Sequence, residues 1–318
     1  MENSKHIVTD SNSHLNPTKL DKPSYLMCVP FSYSTAEPNN IWMKELKEDE
    51  RKVNMKKAMN QFFELYHYMA SESFVQILPA PGNSKLQDLV FITNIGIVLE
   101  HLPDKNTVVI SNFTSKPRIG EAQIGTDFFK SMGYNIYVPP YKFEGEAELK
   151  HLHDNVYVGG YGIRSDIRAH EWMEENFDMK IIKVEEVDEY LYHLDCSVFP
   201  ITKEDTLVTT EMFTKEEVKE IEKYTNIIDV SADDSYSGIN NSVRLYNTIL
   251  NSSHINELKA GTDDYKNEIT KNRNLEDIAV NLGFEVYYFN LSEYLKGGAL
   301  LSCLVMHLNR NSYKIELI

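Results

Sequence analysis

Short apolar runs and longer amphipathic stretches alternate along this chain with a regular beat. SYLMCVPFSY, residues 24–33, reads as a buried strand. The stretch DERKVNMKKAMNQFFELYHYMA follows, and its apolar residues Val53, Met59, Phe62, Phe63, Tyr66 and Met69 recur at helical spacing. Beyond it, each helical stretch is followed by a β-rich run: SFVQILP, YNIYVPP, MKIIKVE, TNIIDVS and FEVYYFN. These runs begin at Ser73, Tyr134, Met179, Thr225 and Phe284, so the interval is about 45–61 residues, one supersecondary unit each.

A second strand stands in every unit: LVFITNIGIVL, NVYVGGYGI, CSVFPI, SVRLYNTIL and LLSCLVMHL. Helix ends are also marked. Gly133 and Gly283 close the stretches before Tyr134 and Phe284. Ser165 fits an N-cap, and Thr214 with Glu217 forms a capping box. Units of two or three strands and a helix cannot bury their faces alone and are expected to stack around a common axis. The expected fold class is therefore α/β: a five-bladed, pseudo-symmetric α/β propeller, with the N-terminal strand completing the last unit. A doubly wound open sheet is the alternative, disfavoured because each unit holds more than one strand. The expected organisation is a flexible polar tail over residues 1–22 and a single domain over residues 23–318.

Composition narrows the partners. The chain has 318 residues and a net charge of −16. That balance argues against nucleic acid and anionic membrane surfaces. No apolar run is long enough to cross a bilayer, and the N-terminal stretch lacks the apolar centre of a secretory signal. Three widely spaced cysteines, Cys28, Cys196 and Cys303, make no CxxC pair, which points to a reducing compartment and a cytoplasmic location.

Each unit also carries polar residues that a buried strand does not need, near the start of its second strand. They are Asp88 and Asn94, then Glu144 and Glu148, then His193 and Asp195, then Asn241, and finally Cys303. Alone, Cys303 is a small hydrophobe in an apolar strand, and His193 is a structural histidine. HLHD, residues 151–154, is a surface turn rather than a metal cluster. His193 and Asp195 are expected on one face of a strand. Equivalent positions in radial units converge on the axis, so the set is expected to line one cavity. Carboxylates there can hold a planar cation such as a guanidinium, a thiolate can attack its central carbon, and an imidazole can move the protons. No metal or cofactor is needed.

The chain resembles the guanidino-group modifying enzymes, or penteins, over residues 24–310. MCVPFSYS with NNIWM, QDLVFITNIG, RIGE, FEGEAEL, GGYGIRS, HLD and GGALLSC stand in the order of that family's motifs. The resemblance implies Cys303 as nucleophile, His193 as general acid and base, and Glu148 as the guanidinium-binding catalytic carboxylate. It implies Asp195, Asn40, Asn94, Glu144, Asp88, Arg164 and Asn241 as substrate-binding. Glu148 stands for an aspartate and Ile41 for a proline of the family pattern. The implied activity is hydrolysis of a C–N bond in a linear amidine, with arginine or a derivative as partner. Asn40 and Asn94 point first to an arginine dihydrolase. The alternatives are arginine deiminase or dimethylarginine hydrolysis, an amidinotransferase, and a non-catalytic guanidino-binding protein. A homo-oligomer is left open. AEPNNIWMK and SADDSYSGINN are the expected lids.

Overall fold

The computed structural model describes residues 16–80 and 85–314. In chain order its strands are β1 (Ser24–Cys28), β2 (Phe74–Leu78), β3 (Gly96–Val98), β4 (Thr107–Ile110), β5 (Asn135–Tyr137), β6 (Leu149–His153), β7 (Val156–Tyr161) and β8 (Lys180–Glu185). They continue with β9 (Val198–Pro200), β10 (Asp205–Val208), β11 (Asn226–Asp229), β12 (Val243–Leu245), β13 (Thr248–Ser252), β14 (Glu285–Phe289) and β15 (Met306–His307). They form five separate three-stranded sheets, which is the propeller and not the doubly wound alternative.

One design repeats in every sheet. The central strand is antiparallel to one neighbour and parallel to the other. A hairpin suffices for an antiparallel neighbour, whereas a parallel neighbour needs a crossover. Helices make those crossovers: Met55–Glu72, Glu121–Ser131, Ile167–Asn176, Lys215–Ile221 and Asp263–Asn281. The ring closes where β15 pairs with β1, with Tyr25 opposite His307 and Leu26 opposite Met306.

Apolar clusters fill the space between helices and sheets. The largest joins Phe62, Leu65 and Met69 of the first long helix to Tyr25, Met27, Val243, Leu245 and Phe289, and Cys303 belongs to it. Burying one such side chain contributes about 1.5–3 kcal/mol. The helix buries a slightly different stripe from the expected one: Ala58, Gln61, Phe62, Leu65 and Met69, with Phe63 39% exposed. Gln61 belongs inside because its amide bonds Asn290, Ser292 and the backbone of Glu293.

The caps are mostly as expected. Gly133 and Gly283 have φ of 80° and 79°, and the Thr214–Glu217 box is formed. Ser165 is not the N-cap of its helix. Asp166 is, while the Ser165 hydroxyl accepts the backbone N–H of Glu144. The expected tail lies outside the described residues as far as residue 15. Pro17–Lys19 form a 3-10 turn, the Thr18 hydroxyl meets that of Tyr134 at 2.7 Å, and Asn309 donates to the carbonyls of Pro17, Leu20 and Lys22. Packed structure thus begins ahead of residue 23. No helix among the described residues is long and apolar enough to cross a membrane.

The feature that builds the site is a set of 3-10 turns. Ile92–Ile95 leads into β3, Gly145–Ala147 into β6, Leu194–Cys196 into β9, and Ser302–Leu304 toward β15. Cys303 therefore sits on a turn and not in a strand. His193 is the residue before such a turn and Asp195 lies within it, so the two do not share a strand face. A 3-10 turn rotates successive side chains by about 120°, which spreads neighbouring polar residues in different directions.

Candidate active site

The Ile92–Ile95 turn packs against the Gly145–Ala147 and Ser302–Leu304 turns, and the Ser302 hydroxyl ties the last of these to Asp195 in the Leu194–Cys196 turn. Gly145 permits the first of these contacts. Its φ is 67°, and a Cβ there would lie 2.7 Å from the carbonyl oxygen of Thr93 and from the carbonyl carbon of Asn94. An L side chain would be strained by the angle and blocked by the backbone. Glu144 and Asn94 are thereby brought together.

The resulting cavity is lined by Asn39, Asn40, Asp88, Phe91, Asn94, Arg118, Arg164, Tyr192, His193, Gly297, Ala299 and Cys303. Its free volume is about 20 Å³, room for a water and not for an amino acid. Asn40 caps the short helix Ile41–Glu45 by accepting from the Met43 N–H at 2.9 Å, and it donates to the Gly297 carbonyl at 2.9 Å. Gly298 at φ 75° lets the chain pass against that amide, since a Cβ would stand 2.9 Å from Asn40 Oδ1. The indole of Trp42 donates to the Tyr190 carbonyl, and the Tyr190 hydroxyl donates to Glu45, so the segment expected as a lid is tied down on its outer side. Trp42 and Tyr236, from the two expected lids, both line an adjoining cleft of about 640 Å³.

Cys303 is 6% exposed. Its sulfur lies 3.6 Å from the Asn241 amide nitrogen and 3.7 Å from Asp195 Oδ2. Burial, then the Asp195 charge, pushes the thiol up to about 12, with the Asn241 amide opposing weakly. At neutral pH it is a thiol. Asp195 does not line the cavity. It stands beside the sulfur and accepts from the Ser302 hydroxyl at 2.6 Å. Asn241 also accepts from the Ser302 N–H at 2.9 Å, so it fixes the turn as well as touching the sulfur.

His193 places Nε2 2.9 Å from Glu144 Oε2 and 3.3 Å from the Asn94 amide nitrogen. The shorter contact and the carboxylate's charge assign the Nε2 proton to Glu144. Nδ1 has no hydrogen-bond partner among the described residues. Burial lowers the imidazole's pKa, and Glu144 restores part of it. Glu144 is 1% exposed. Burial would raise its pKa, but Arg164 at 3.4 Å, His193 and Arg118 at 3.9 Å outweigh burial and hold it at about 2. Arg164 also donates to the Asn39 carbonyl at 2.9 Å and lies over the Tyr192 ring at 4.7 Å.

Asp88 accepts from the Asn39 amide at 2.6 Å, and its pKa is raised by burial against the pull of Arg118. Of the residues expected from sequence, the structure gathers Cys303, His193, Asn40, Asn94, Asp88 and Arg164 on the cavity. Glu144, Asp195 and Asn241 stand immediately behind it. Glu148 is the exception. It is fully buried, does not line the cavity, and turns its carboxylate toward Glu186. The carboxylate that touches His193 is Glu144.

Sequence reading gives no site role to Tyr192 or Glu186, and it places Arg118 only in the RIGE motif. Tyr192 donates to the Gly298 carbonyl at 2.7 Å. Arg118 is gripped by Glu121 at 2.7 Å, an i,i+3 pair legible in RIGE. Glu186 lies in an acidic run that gives no such signal. HLHD is not a surface turn throughout: His151 to His153 end β6, His151 is buried and stacked on Tyr157, and its Nε2 meets the carbonyl of Asp154, where the turn begins, at 2.7 Å. Among the described residues, no group of three or more His, Cys, Asp or Glu side chains could hold a metal ion. The three cysteines are free thiols.

A family model described as N,N dimethylarginine dimethylhydrolase, eukaryotic, matches residues 28–308. The chain is 26% identical over 289 residues to the bifunctional arginine dihydrolase/ornithine cyclodeaminase AgrE of a Nostoc species, covering 89% of this chain and 37% of that protein. It is 27% identical over 176 residues to the N(G),N(G)-dimethylarginine dimethylaminohydrolase of Mycobacterium tuberculosis, covering 55% of this chain and 54% of that one. Among solved structures, apo ArgZ, an arginine dihydrolase from the ornithine-ammonia cycle in cyanobacteria, superposes with a TM-score of 0.77 at 25% identity. That match covers 90% of this chain and 40% of the ArgZ chain. The chain thus spans well under half the length of the bifunctional relatives it matches.

Proposed function

This chain belongs to the eukaryotic N,N-dimethylarginine dimethylhydrolase family, and we propose that it hydrolyses the C–N bonds of a guanidino amino acid, converting arginine to ornithine, carbon dioxide and two ammonia. The observation that carries the reading is the meeting of Cys303, His193 and the Asn94 amide at one small cavity, with the Glu144 carboxylate behind it on the His193 imidazole. The names of the bifunctional relatives support arginine as substrate.

In this reading the guanidinium enters a site rich in buried carboxylates and lowers the thiol's pKa by its own charge. Cys303 gives its proton to His193, and the thiolate adds to the guanidino carbon. The C–N bond to a terminal nitrogen breaks, and His193 returns the proton so that ammonia leaves. His193 then deprotonates a water, which adds to the amidino carbon and expels the sulfur, giving a ureido group. Retention of that product allows a second attack. The second ammonia leaves, and hydrolysis of the resulting thioester-like carbamoyl group gives a carbamate that loses carbon dioxide. Glu144, 2.9 Å from Nε2, stabilises the imidazolium. Arg164, at the cavity wall on Tyr192, supplies the cation for the substrate's carboxylate.

Hydrolysis of dimethylarginine is the second reading, favoured by the family match itself. Product stoichiometry separates the two. Two ammonia per ornithine from arginine supports the first reading. Dimethylamine from dimethylarginine, with arginine untouched, replaces it with the second. No turnover of either, with equal ligand binding by wild type and Cys303→Ser, contradicts both and leaves a binding protein.

A further inference from the structure

On the far side of the His193 turn lie two carboxylates that the reaction does not use. Glu148 is completely buried and Glu186 is 7% exposed. They face each other across Gly160, where a Cβ would stand 2.8 Å from Glu186 Cδ and 2.9 Å from Glu148 Oε2. No donor in the described structure reaches either oxygen of Glu186 or Oε1 of Glu148. The one backbone donor is the N–H of Leu194, 3.4 Å from Glu148 Oε2. Leu194 lies between His193 and Asp195.

Cys196 lies close enough for the Glu186 charge to help raise its pKa after burial and the Asp195 charge, and Lys150 is buried two residues beyond Glu148. Asp195 faces the pair from the 3-10 turn, Glu144 from the turn before β6, and Arg164 from the loop after β7. Arg164 is engaged by Glu144 and the Asn39 carbonyl. His170, from the helix Ile167–Asn176 on the other side of β7, meets the Gly160 carbonyl at 2.7 Å. Two bare carboxylates in contact inside a protein cannot both stay charged. A proton between them supplies the donor that both lack. Burial first, and then Glu186, raises the pKa of Glu148; burial first, and then the Asp195 charge, raises that of Glu186.

We propose that Glu148 and Glu186 form a proton-sharing pair that positions the His193–Asp195 turn, with Glu186 a positioning residue for catalysis. Glu148 belongs to the blade of β6, β7 and β8, and Leu194 opens the next one, so the pair fastens the catalytic turn across a blade boundary. Gly160 is a glycine because the two carboxyl groups occupy the place of its side chain. When the proton leaves, like charges repel. The β7–β8 pairing holds Gly160 and the backbone around it, so the 3-10 turn is the part that gives.

Two variants test this, and the idea rests on His193 as the proton carrier only for the rate measurements. Glu186→Gln supplies a permanent amide donor to Glu148, and the alkaline fall of kcat is expected to move up by about one pH unit or more. Glu186→Ala leaves Glu148 alone, and kcat at pH 7 is expected to fall about tenfold or more with KM changing less. Without substrate, the folded wild type binds an extra proton above the ordinary carboxylate range. Its unfolding midpoint should therefore decline as pH rises from about 5 to 9, more steeply than that of Glu186→Gln. Parallel midpoint-against-pH curves for wild type and Glu186→Gln overturn the pair. Should no guanidino compound be turned over, the reading of function fails and the unfolding curves still decide this one.

Discussion

Glu144→Gln isolates the contact on which the proposed proton transfer depends. The exchange keeps shape and removes one negative charge 2.9 Å from His193 Nε2. A hydrogen bond to a charged group is worth about 1.5–3 kcal/mol in mutational data, and this one is fully buried. The imidazolium should lose that much stabilisation, which lowers its pKa by about one to two units. Burial already depresses it, so less of the acid form remains to protonate the leaving nitrogen. The rate at pH 7 should fall about tenfold to a hundredfold, and the limb of the pH–rate profile that reports His193 should move to lower pH. Arg118 keeps its grip on Glu121, so the variant should fold, which a thermal melt checks. The assay is steady-state ammonia release from arginine between pH 5 and 9. A kcat within about threefold of wild type, with the profile unmoved, refutes the pairing of Glu144 with His193 as a working unit.

Three further outcomes follow from the geometry. Asn241→Ala removes the amide beside the Cys303 sulfur and the acceptor of the Ser302 N–H. Each bond is worth about 0.5–1.5 kcal/mol, so stability should drop by that order and thiol alkylation at pH 8 should slow. Gly145→Ala places a Cβ 2.7 Å from backbone atoms at a φ of 67°, and urea denaturation should show a loss of about 2 kcal/mol or more. Glu146 is held at about 2: burial would raise it, but His307 at 2.5 Å and Arg310 at 3.0 Å outweigh burial. A depressed carboxylate contributes stability that is full above the unfolded value of about 4.3 and lost as pH falls through the folded one. The stability advantage of wild type over Glu146→Gln should therefore shrink between about pH 4.5 and 2.

The architecture was legible because the repeat is written in local patterns. Each unit shows an amphipathic helix, a β-rich run after it, and a second run further on, and the five-fold return of that pattern implies stacking. Address was harder to read than presence. In FEGEAE the three glutamates alternate, as they would along one face of a strand. The 3-10 turn instead sends Glu144 to His193, Glu146 to His307 and Arg310, and Glu148 to Glu186. A turn of three residues has no hydrophobic period to betray its rotation, so the sequence does not show that Glu144 is the carboxylate at the histidine. Glu186 was illegible for a different reason. KVEEVDE looks like a solvated acidic run, and only the approach of Glu148 over Gly160 makes one of its members a buried group. The segment Pro17–Lys22 was expected to be loose because it is polar, and it is held by Asn309, almost three hundred residues away in sequence.

The central claim is that the Cys303 sulfur bonds to the guanidino carbon of the substrate. Acid-quenched digestion of the enzyme during turnover of arginine, followed by peptide mass spectrometry, tests it directly. The prediction is an adduct with the mass of arginine less ammonia on the peptide that contains Cys303, absent from Cys303→Ser and absent from the peptides that carry Cys28 and Cys196. Steady release of ammonia by Cys303→Ser at the wild-type rate, or the adduct found on another residue, would contradict the account.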